Sequence, residues 1–225
     1  MNTPTHPIDP PDDQWVAHPA RILFLGNSIT YHAPKPDIGW TGDWGMAASA
    51  REKDFAHLLL RRFSAAAGGR APEARIENIA DFERGYAGGI QDAWFDDLAA
   101  FQTGILILAI GENVADLASE QNQGVAHPAG FQAAVSALIA RVARQGKVYV
   151  RSCFWPDPLK DAALRGACAE AGGTFVDISH LHLDEKNYAR SEQEFEHSGV
   201  AAHPGDAGMA AIADAIWQAI NSGAE

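Results

Sequence analysis

The sequence predicts an α/β fold, a three-layer sandwich in which helices cover both faces of a five-stranded parallel sheet. Short apolar segments alternate along the chain with segments of helical periodicity. The strand segments are apolar almost throughout, which is typical of parallel strands buried on both faces. Glycine, proline and polar residues follow the strands, and open α/β sheets bind their ligands at that edge.

The first half of the chain supplies three strands and two helices. The clearest strand reads I-L-I-L-A-I, and the first strand begins as R-I-L-F-L and stops at a glycine. The second strand has a weaker signal because polar residues interrupt it. The predicted strands are 21–26, 74–80 and 105–110, and the predicted helices are 46–67 and 90–101. The loop after the first strand and the turn after the second are rich in glycine.

The second half of the chain continues the same alternation. One amphipathic helix carries an apolar face, formed by Phe131, Val135, Leu138, Ile139 and Val142. Strands are predicted at 148–154 and 174–178, and helices at 159–171 and 205–220. The segment 180–202 is polar and has no convincing period, so no regular element is predicted there.

We expect a single domain, residues 21–225, after an extended, Pro-rich lead-in, residues 1–20. The lead-in lacks the features of a signal peptide, and no apolar run approaches the ~20 residues that span a bilayer. The formal net charge of -12, without a cluster of Lys and Arg, disfavours nucleic acid and anionic membranes as partners. Cys153 and Cys168 are expected to be reduced core residues, which favours a cytoplasmic location.

Polar residues suited to acyl transfer follow the predicted strands. Ser28 follows the first strand, Asn113 follows the third, and His203 precedes the last helix. A hydroxyl, a base and amide donors are the groups that acyl transfer requires. Each residue also has an ordinary alternative role: Asn27 and Ser28 as helix caps, Asn113 in a turn, and His203 at the start of a helix.

These motifs, in this order, resemble those of the SGNH hydrolases, also called the GDSL esterases and lipases. G-N-S-I-T resembles the first block of the family and implies that Ser28 is the nucleophile. G-E-N resembles the block G-x-N and implies that Asn113 is an oxyanion donor, and H-P-G-D resembles the last block and implies that His203 is the general base. The second block would add a backbone N–H from a glycine, for which Gly88 fits best and Gly85 second. The resemblance implies a flavodoxin-like sheet and no cofactor.

The acid of the family's triad is missing from this sequence. It usually stands three residues before the base, in D-x-x-H, where this chain has Val200. Such an acid fixes the imidazole tautomer and stabilises the imidazolium. We favour a backbone carbonyl as the group that orients His203 in a Ser-His dyad, with Glu196 as a displaced acid in second place. Asp206 is more typical of a residue that stabilises a helix start.

Large aromatic residues lie near the predicted nucleophile. Trp40 and Trp44 belong to the loop after Ser28, and Trp155 follows the fourth strand. Flat aromatic faces beside polar groups suit sugar rings, so we expect a short acyl ester, an acetyl ester above all, on a carbohydrate. Equally, Trp40 and Trp44 can simply hold their own loop in place. Arg84 is a candidate contact for an anionic sugar, although a charge that is simply solvated is the more usual role of such a residue.

Other functions stay open at this stage. The family includes acyl-thioesterases and lysophospholipases, and an acyl-enzyme can pass its acyl group to another hydroxyl instead of water. A binding protein for a small molecule or carbohydrate on the same fold, or an inactive relative, is a further alternative. His180 and His182 have a spacing that suits a metal ion on a strand, but the sequence places no third ligand, so we expect no metal.

Overall fold

Five parallel strands form one sheet in the order β2-β1-β3-β4-β5. The computed structural model describes residues 21–88, 92–118 and 127–222; the lead-in, residues 1–20, lies outside them. The strands are β1 (Arg21–Gly26), β2 (Glu73–Asn78), β3 (Ile105–Ala109), β4 (Lys147–Arg151) and β5 (Thr174–Val176). Each neighbouring pair is parallel. The predicted α/β fold with a five-stranded parallel sheet is therefore confirmed.

Helices pack on both faces of this sheet. They are α1 (Phe55–Ala66), α2 (Ala80–Gly85), α3 (Asp92–Ala100), α4 (Pro128–Val142), α5 (Pro158–Glu170), α6 (Ser198–Ala201) and α7 (Asp206–Ser222). Because side chains alternate along a strand, Ile22 and Phe24 of β1 join the core shared with α1 and α7. Leu23 and Leu25 join the core shared with α3, α4 and α5. Within the described residues, no helix combines the length and apolar character needed to cross a bilayer.

Element boundaries depart from the sequence predictions near the carboxyl edge. The helix expected from residue 46 begins only at Phe55, where the buried Asp54 side chain accepts the backbone N–H of His57 (2.8 Å). Strand β2 ends at Asn78, two residues earlier than predicted, and α2 replaces the expected glycine-rich turn. The segment 180–202 contains short 3-10 turns and α6. Hydrogen bonds between side chains and nearby backbone groups, and turns, set these boundaries. Such contacts leave no periodic pattern in the sequence.

The strand order places a topological switch point between β1 and β3. The chain moves from β1 to β2 on one side and later to β3 on the other, so the turns after β1 and β3 lie side by side. The turn after β3 requires glycine, since Gly111 has φ 126 and a Cβ there would lie 2.4 Å from the Cys153 sulfur. Ser28 and Asn113 follow these two turns and thus lie at the same edge.

Replacing Gly111 with alanine should destabilise the fold, because the new methyl group meets both an unfavourable backbone conformation and the Cys153 sulfur. We expect the free energy of unfolding to fall by roughly 2–4 kcal/mol, measured by urea unfolding followed by circular dichroism. Gly85→Ala is the matched control, since a Cβ at Gly85 meets nothing within 4 Å. Equal unfolding free energies for the two variants would contradict this account.

Candidate active site

Ser28 and His203 form a hydrogen bond at the carboxyl edge of the sheet. The Ser28 Oγ lies 2.8 Å from His203 Nε2. The other ring nitrogen, Nδ1, lies 2.6 Å from the carbonyl oxygen of Gly199 in α6. A carbonyl can only accept, so Nδ1 carries the proton and Nε2 is left to accept the proton of the Ser28 hydroxyl. This arrangement can activate a serine hydroxyl for nucleophilic attack.

The surroundings of His203 favour the neutral ring. Burial lowers the pKa of His203 below its usual value, and the hydrogen bond to the Gly199 carbonyl opposes this shift only in part. The Trp155 ring packs edge-on against the imidazole, with ring centroids 5.4 Å apart. Because its pKa is lowered, His203 keeps the neutral form at neutral pH. The neutral imidazole is the form that acts as a general base.

The groups considered as orienting acids lie elsewhere. Val200 is buried, and Glu196 is exposed to solvent. The Asp206 carboxylate accepts hydrogen bonds from Ser49 and from Lys53, which hold α7 against the segment before α1. Nδ1 of His203 is engaged by the Gly199 carbonyl instead. Of the two alternatives that the sequence left open, the structure has the carbonyl contact.

Asn113 lines the same cavity as Ser28 and His203. Its side-chain amide is held on both sides: Nδ2 donates to Glu83 Oε2 (2.9 Å) and Oδ1 accepts from Arg84 (3.0 Å). An amide nitrogen carries two hydrogens, so one N–H of Asn113 remains after the bond to Glu83. That N–H is suited to an oxyanion formed by attack of Ser28 on a carbonyl.

The glycines expected to complete an oxyanion hole are not at the cavity. Gly85 ends α2 and Gly88 lies in the following 3-10 turn; both are exposed, and neither lines the cavity. Because β2 ends early, Ala80 and Asp81 occupy the place directly after the strand and line the cavity instead. The structure therefore does not bring Gly88 or Gly85 together with Ser28. Asn78 is a polar residue within the predicted strand, and it was the sequence feature that could have indicated that the strand ends there, before Ala80.

A buried polar network beneath the site escaped the sequence analysis. Glu112 accepts hydrogen bonds from Asn27 Nδ2 (2.6 Å), Arg151 Nη1 (2.6 Å) and the Phe154 backbone (2.9 Å). Asn27 Nδ2 also donates to Glu83 (3.3 Å). An arginine at the end of an otherwise apolar strand, and a glutamate inside G-E-N, were the signals that pointed to it.

The pKa values of the two carboxylates in this network are shifted in opposite directions. Burial by itself would raise the pKa of Glu112, but the Arg151 charge and the hydrogen bonds it accepts bring that pKa below its usual value. Burial and the nearby Glu112 charge raise the pKa of Glu83, and its hydrogen-bond partners among residues 21–88, 92–118 and 127–222 are amides without charge. Glu112 is therefore the carboxylate that balances Arg151, and Glu83 depends on neutral donors.

The two loop tryptophans do not line the cavity. Trp40 is buried and its Nε1 donates to the His32 carbonyl (3.1 Å), while Trp44 Nε1 donates to the Ala48 carbonyl (2.8 Å). Their rings pack edge to face with centroids 5.6 Å apart. They hold their own loop in place, which was the alternative interpretation. Trp155 contacts the site through the His203 ring.

The cavity beside Ser28 has a volume of about 430 Å³. Its wall is mainly polar and includes Arg84. Apart from Ser28, His203, Asn113 and Arg84, the lining residues are His32, Ile38, Met46, Asn78, Ala80, Asp81, His197, Gly199 and Val200. Such a space suits a small substrate group surrounded by hydrogen-bond donors and acceptors.

His180 and His182 lie on the 3-10 turn Ser179–Leu183 and not on a strand. The His182 ring is engaged with the Ser179 carbonyl. Within residues 21–88, 92–118 and 127–222, no three His, Cys, Asp or Glu side chains are grouped so that they could hold a metal ion. Residues two apart share a face on a strand, but His180 and His182 lie on a turn, so the reason for expecting two metal ligands on one face is lost.

Comparison with solved structures shows that other proteins share this fold. No protein-family model and no curated protein matches the sequence. Among solved structures, a Parabacteroides merdae protein described as a GDSL-like lipase is 15% identical over 91% of this chain and 96% of its own, with a TM-score of 0.56. The acetyl xylan esterase AlAXEase is 17% identical over 88% and 98%, with a TM-score of 0.55. A family 3 carbohydrate esterase from Clostridium thermocellum is 17% identical over 92% and 99%, with a TM-score of 0.52. The fold implied by the resemblance to SGNH hydrolases is confirmed.

Replacing Arg151 with methionine should destabilise the protein strongly, because the buried Glu112 would lose its only charged partner among the described residues. Breaking a buried pair on one side costs about 3–5 kcal/mol in the free energy of unfolding, which urea unfolding measures. Adding Glu112→Gln to this variant should restore part of that loss.

The matched control is Arg165→Met, which removes an ion pair between Arg165 and Asp177 whose side chains are 57% and 52% exposed. Solvent screens such a pair, so its removal should change stability by about 1 kcal/mol or less. A loss at Arg165 as large as the loss at Arg151 would show that burial of the Glu112 pair is not the cause.

Proposed function

We propose that this protein is a serine esterase that hydrolyses short acyl esters through an acyl-enzyme on Ser28. The observation that carries the proposal is the hydrogen bond between Ser28 Oγ and His203 Nε2, with Nδ1 bound to a carbonyl, inside a cavity that Asn113 also lines. A nucleophile, a correctly protonated base and an amide donor at one cavity are the requirements for acyl transfer. The structural neighbours, GDSL-like lipases and carbohydrate esterases, support the same class of reaction.

The proposed reaction begins when Ser28 Oγ attacks the ester carbonyl and His203 Nε2 takes the hydroxyl proton. The resulting imidazolium is stabilised by the Gly199 carbonyl, which already accepts the Nδ1 proton. The Asn113 amide donates its remaining N–H to the oxyanion. His203 then protonates the departing alcohol, and a water molecule activated by the same imidazole releases the acid from Ser28.

We propose an acetyl ester of a carbohydrate as the substrate. A cavity of about 430 Å³ with few apolar residues favours a small acyl group over a long chain. Arg84, His32 and His197 at the cavity supply donors for sugar hydroxyls. Two proteins of similar fold are named as an acetyl xylan esterase and a carbohydrate esterase, which supports this substrate class.

A thioesterase or lysophospholipase is the second candidate. A long acyl chain needs a continuous apolar groove, whereas Ile38, Met46 and Val200 are the large apolar side chains at this cavity. Comparing p-nitrophenyl acetate, butyrate and octanoate as substrates separates the candidates. The proposed esterase has its highest kcat/KM for acetate, and a preference for octanoate would favour the second candidate.

Ser28→Ala and His203→Ala should each lower kcat for p-nitrophenyl acetate by about 10³-fold or more, because the nucleophile and its base act as a unit. A fluorophosphonate should label the unmodified protein once, at Ser28, and should not label Ser28→Ala. Ser136→Ala, on α4 away from the cavity, is the matched control and should retain full activity. Activity that survives Ser28→Ala would refute the mechanism and would favour the alternative that this protein binds a small molecule or carbohydrate.

The pH dependence of kcat/KM should report the burial of His203. The base works as the neutral imidazole, and burial lowers its pKa, so activity should persist below the ordinary histidine value of 6.5. We expect the acidic limb of the profile to have its midpoint below that value, measured with a neutral ester. A midpoint above 6.5 would mean that an anionic group stabilises the imidazolium.

Glu196→Gln tests the displaced-acid alternative in the same experiment. Glu196 is exposed and the Gly199 carbonyl engages His203 Nδ1, so this variant should leave both kcat and the midpoint unchanged. A fall in kcat similar to the loss on removing a triad acid, about 10⁴-fold, would assign the orienting role to Glu196.

A further inference from the structure

We propose that Glu83 is a positioning residue, which holds the Asn113 amide in the orientation needed to stabilise the oxyanion; the proposal rests on the function proposed above. Glu83 lies on α2, directly after β2, and its side chain is fully buried. It does not line the cavity. Any effect of Glu83 on the reaction must therefore pass through another residue.

The contacts of Glu83 converge on the turn after β3. Its Oε1 accepts the backbone N–H of Gly111 (2.6 Å) and of Asn113 (3.2 Å), and its Oε2 accepts Asn113 Nδ2 (2.9 Å). Oε1 also accepts Asn27 Nδ2 (3.3 Å), from the residue before Ser28. One carboxylate thus connects the residue beside the nucleophile with the oxyanion donor.

The two neighbours of Asn113 leave its amide a single orientation. Arg84 can only donate, so it takes the Oδ1 side, and the Glu83 carboxylate can only accept, so it takes the Nδ2 side. Rotation of the amide by a half turn would oppose donor to donor and acceptor to acceptor. The second N–H of Nδ2 is consequently fixed in direction before a substrate binds, which is the condition for efficient oxyanion stabilisation.

The neighbouring carboxylate, Glu112, has a different task. It bonds to Arg151, Asn27 and the Phe154 backbone, and no hydrogen bond joins it to Asn113 among the described residues. Glu112 neutralises a buried charge, whereas the hydrogen-bond donors to Glu83 within the described part of the chain are all neutral amides. The role proposed for Glu83 is therefore separable from the buried ion pair.

Glu83→Gln is the decisive variant because glutamine keeps one acceptor oxygen and replaces the other with a donor. The oxygen can still accept the backbone N–H groups of Gly111 and Asn113, while the new NH₂ group faces Asn113 Nδ2, donor against donor. We expect kcat for p-nitrophenyl acetate to fall about 10- to 100-fold through misplacement of the amide, with KM nearly unchanged. Glu170→Gln, an exposed glutamate at the end of α5, is the matched control for the same chemical change.

A double-mutant cycle with Asn113→Ala tests whether Glu83 acts through Asn113. Asn113→Ala alone should lower kcat by about 10²- to 10³-fold, the cost of one oxyanion donor. Adding Glu83→Gln to Asn113→Ala should lower kcat little further, because the amide that Glu83 positions is already gone. A role confined to general stability would instead lower kcat by the same factor in both backgrounds.

Two results would overturn the proposal: kcat unchanged in Glu83→Gln, or an undiminished effect of Glu83→Gln in the Asn113→Ala background. If Glu83→Gln does not fold, as judged by circular dichroism, Glu83→Asp replaces it in the cycle. Aspartate keeps the charge but withdraws the carboxylate from Asn113 by one methylene group, so the same loss of kcat is expected. Failure of the proposed function is recognised separately, since the unmodified protein would then fail to hydrolyse p-nitrophenyl acetate, or Ser28→Ala would hydrolyse it equally well.

Discussion

The carboxyl edge of this sheet depends on two buried carboxylates that share one amide. Asn27 Nδ2 donates to both Glu83 and Glu112, and Arg151 supplies the one positive charge of the group. Through these bonds the residues after β1, β2, β3 and β4 are connected below the cavity. A buried carboxylate is tolerated only where donors surround it, so the network fixes the turns in one arrangement.

In the mechanism proposed above, a backbone carbonyl takes the place of the usual acid. A carboxylate beside the imidazole would stabilise the imidazolium by charge, whereas the Gly199 carbonyl offers only a dipole at 2.6 Å. The carbonyl still fixes the tautomer, and it belongs to the helix that leads directly to His203. Burial of the ring, which lowers its pKa, keeps the base neutral. In this arrangement the orientation of His203 comes from the backbone instead of from a second side chain.

The loop after Ser28 acts as a wall of the cavity. Met46 N donates to the Ser28 carbonyl (2.8 Å), which anchors the far end of the loop beside the nucleophile. Trp40 and Trp44 pack against each other inside the loop, so their large surfaces serve its structure. The loop therefore contributes His32, Ile38 and Met46 to the lining of the cavity.

The sequence by itself determined the strand order along the chain, both helical layers and the positions of Ser28, Asn113 and His203, because buried strands and strand ends leave local patterns. Only the tertiary structure decided which groups meet across the sheet. Ala80 lies in the place assigned to Gly88, because β2 ends at Asn78 and a helix follows it at once. The Gly199 carbonyl orients His203, and Glu83 reaches Asn113 from another strand end. Contacts between distant segments depend on three-dimensional packing, and no spacing along the chain records them.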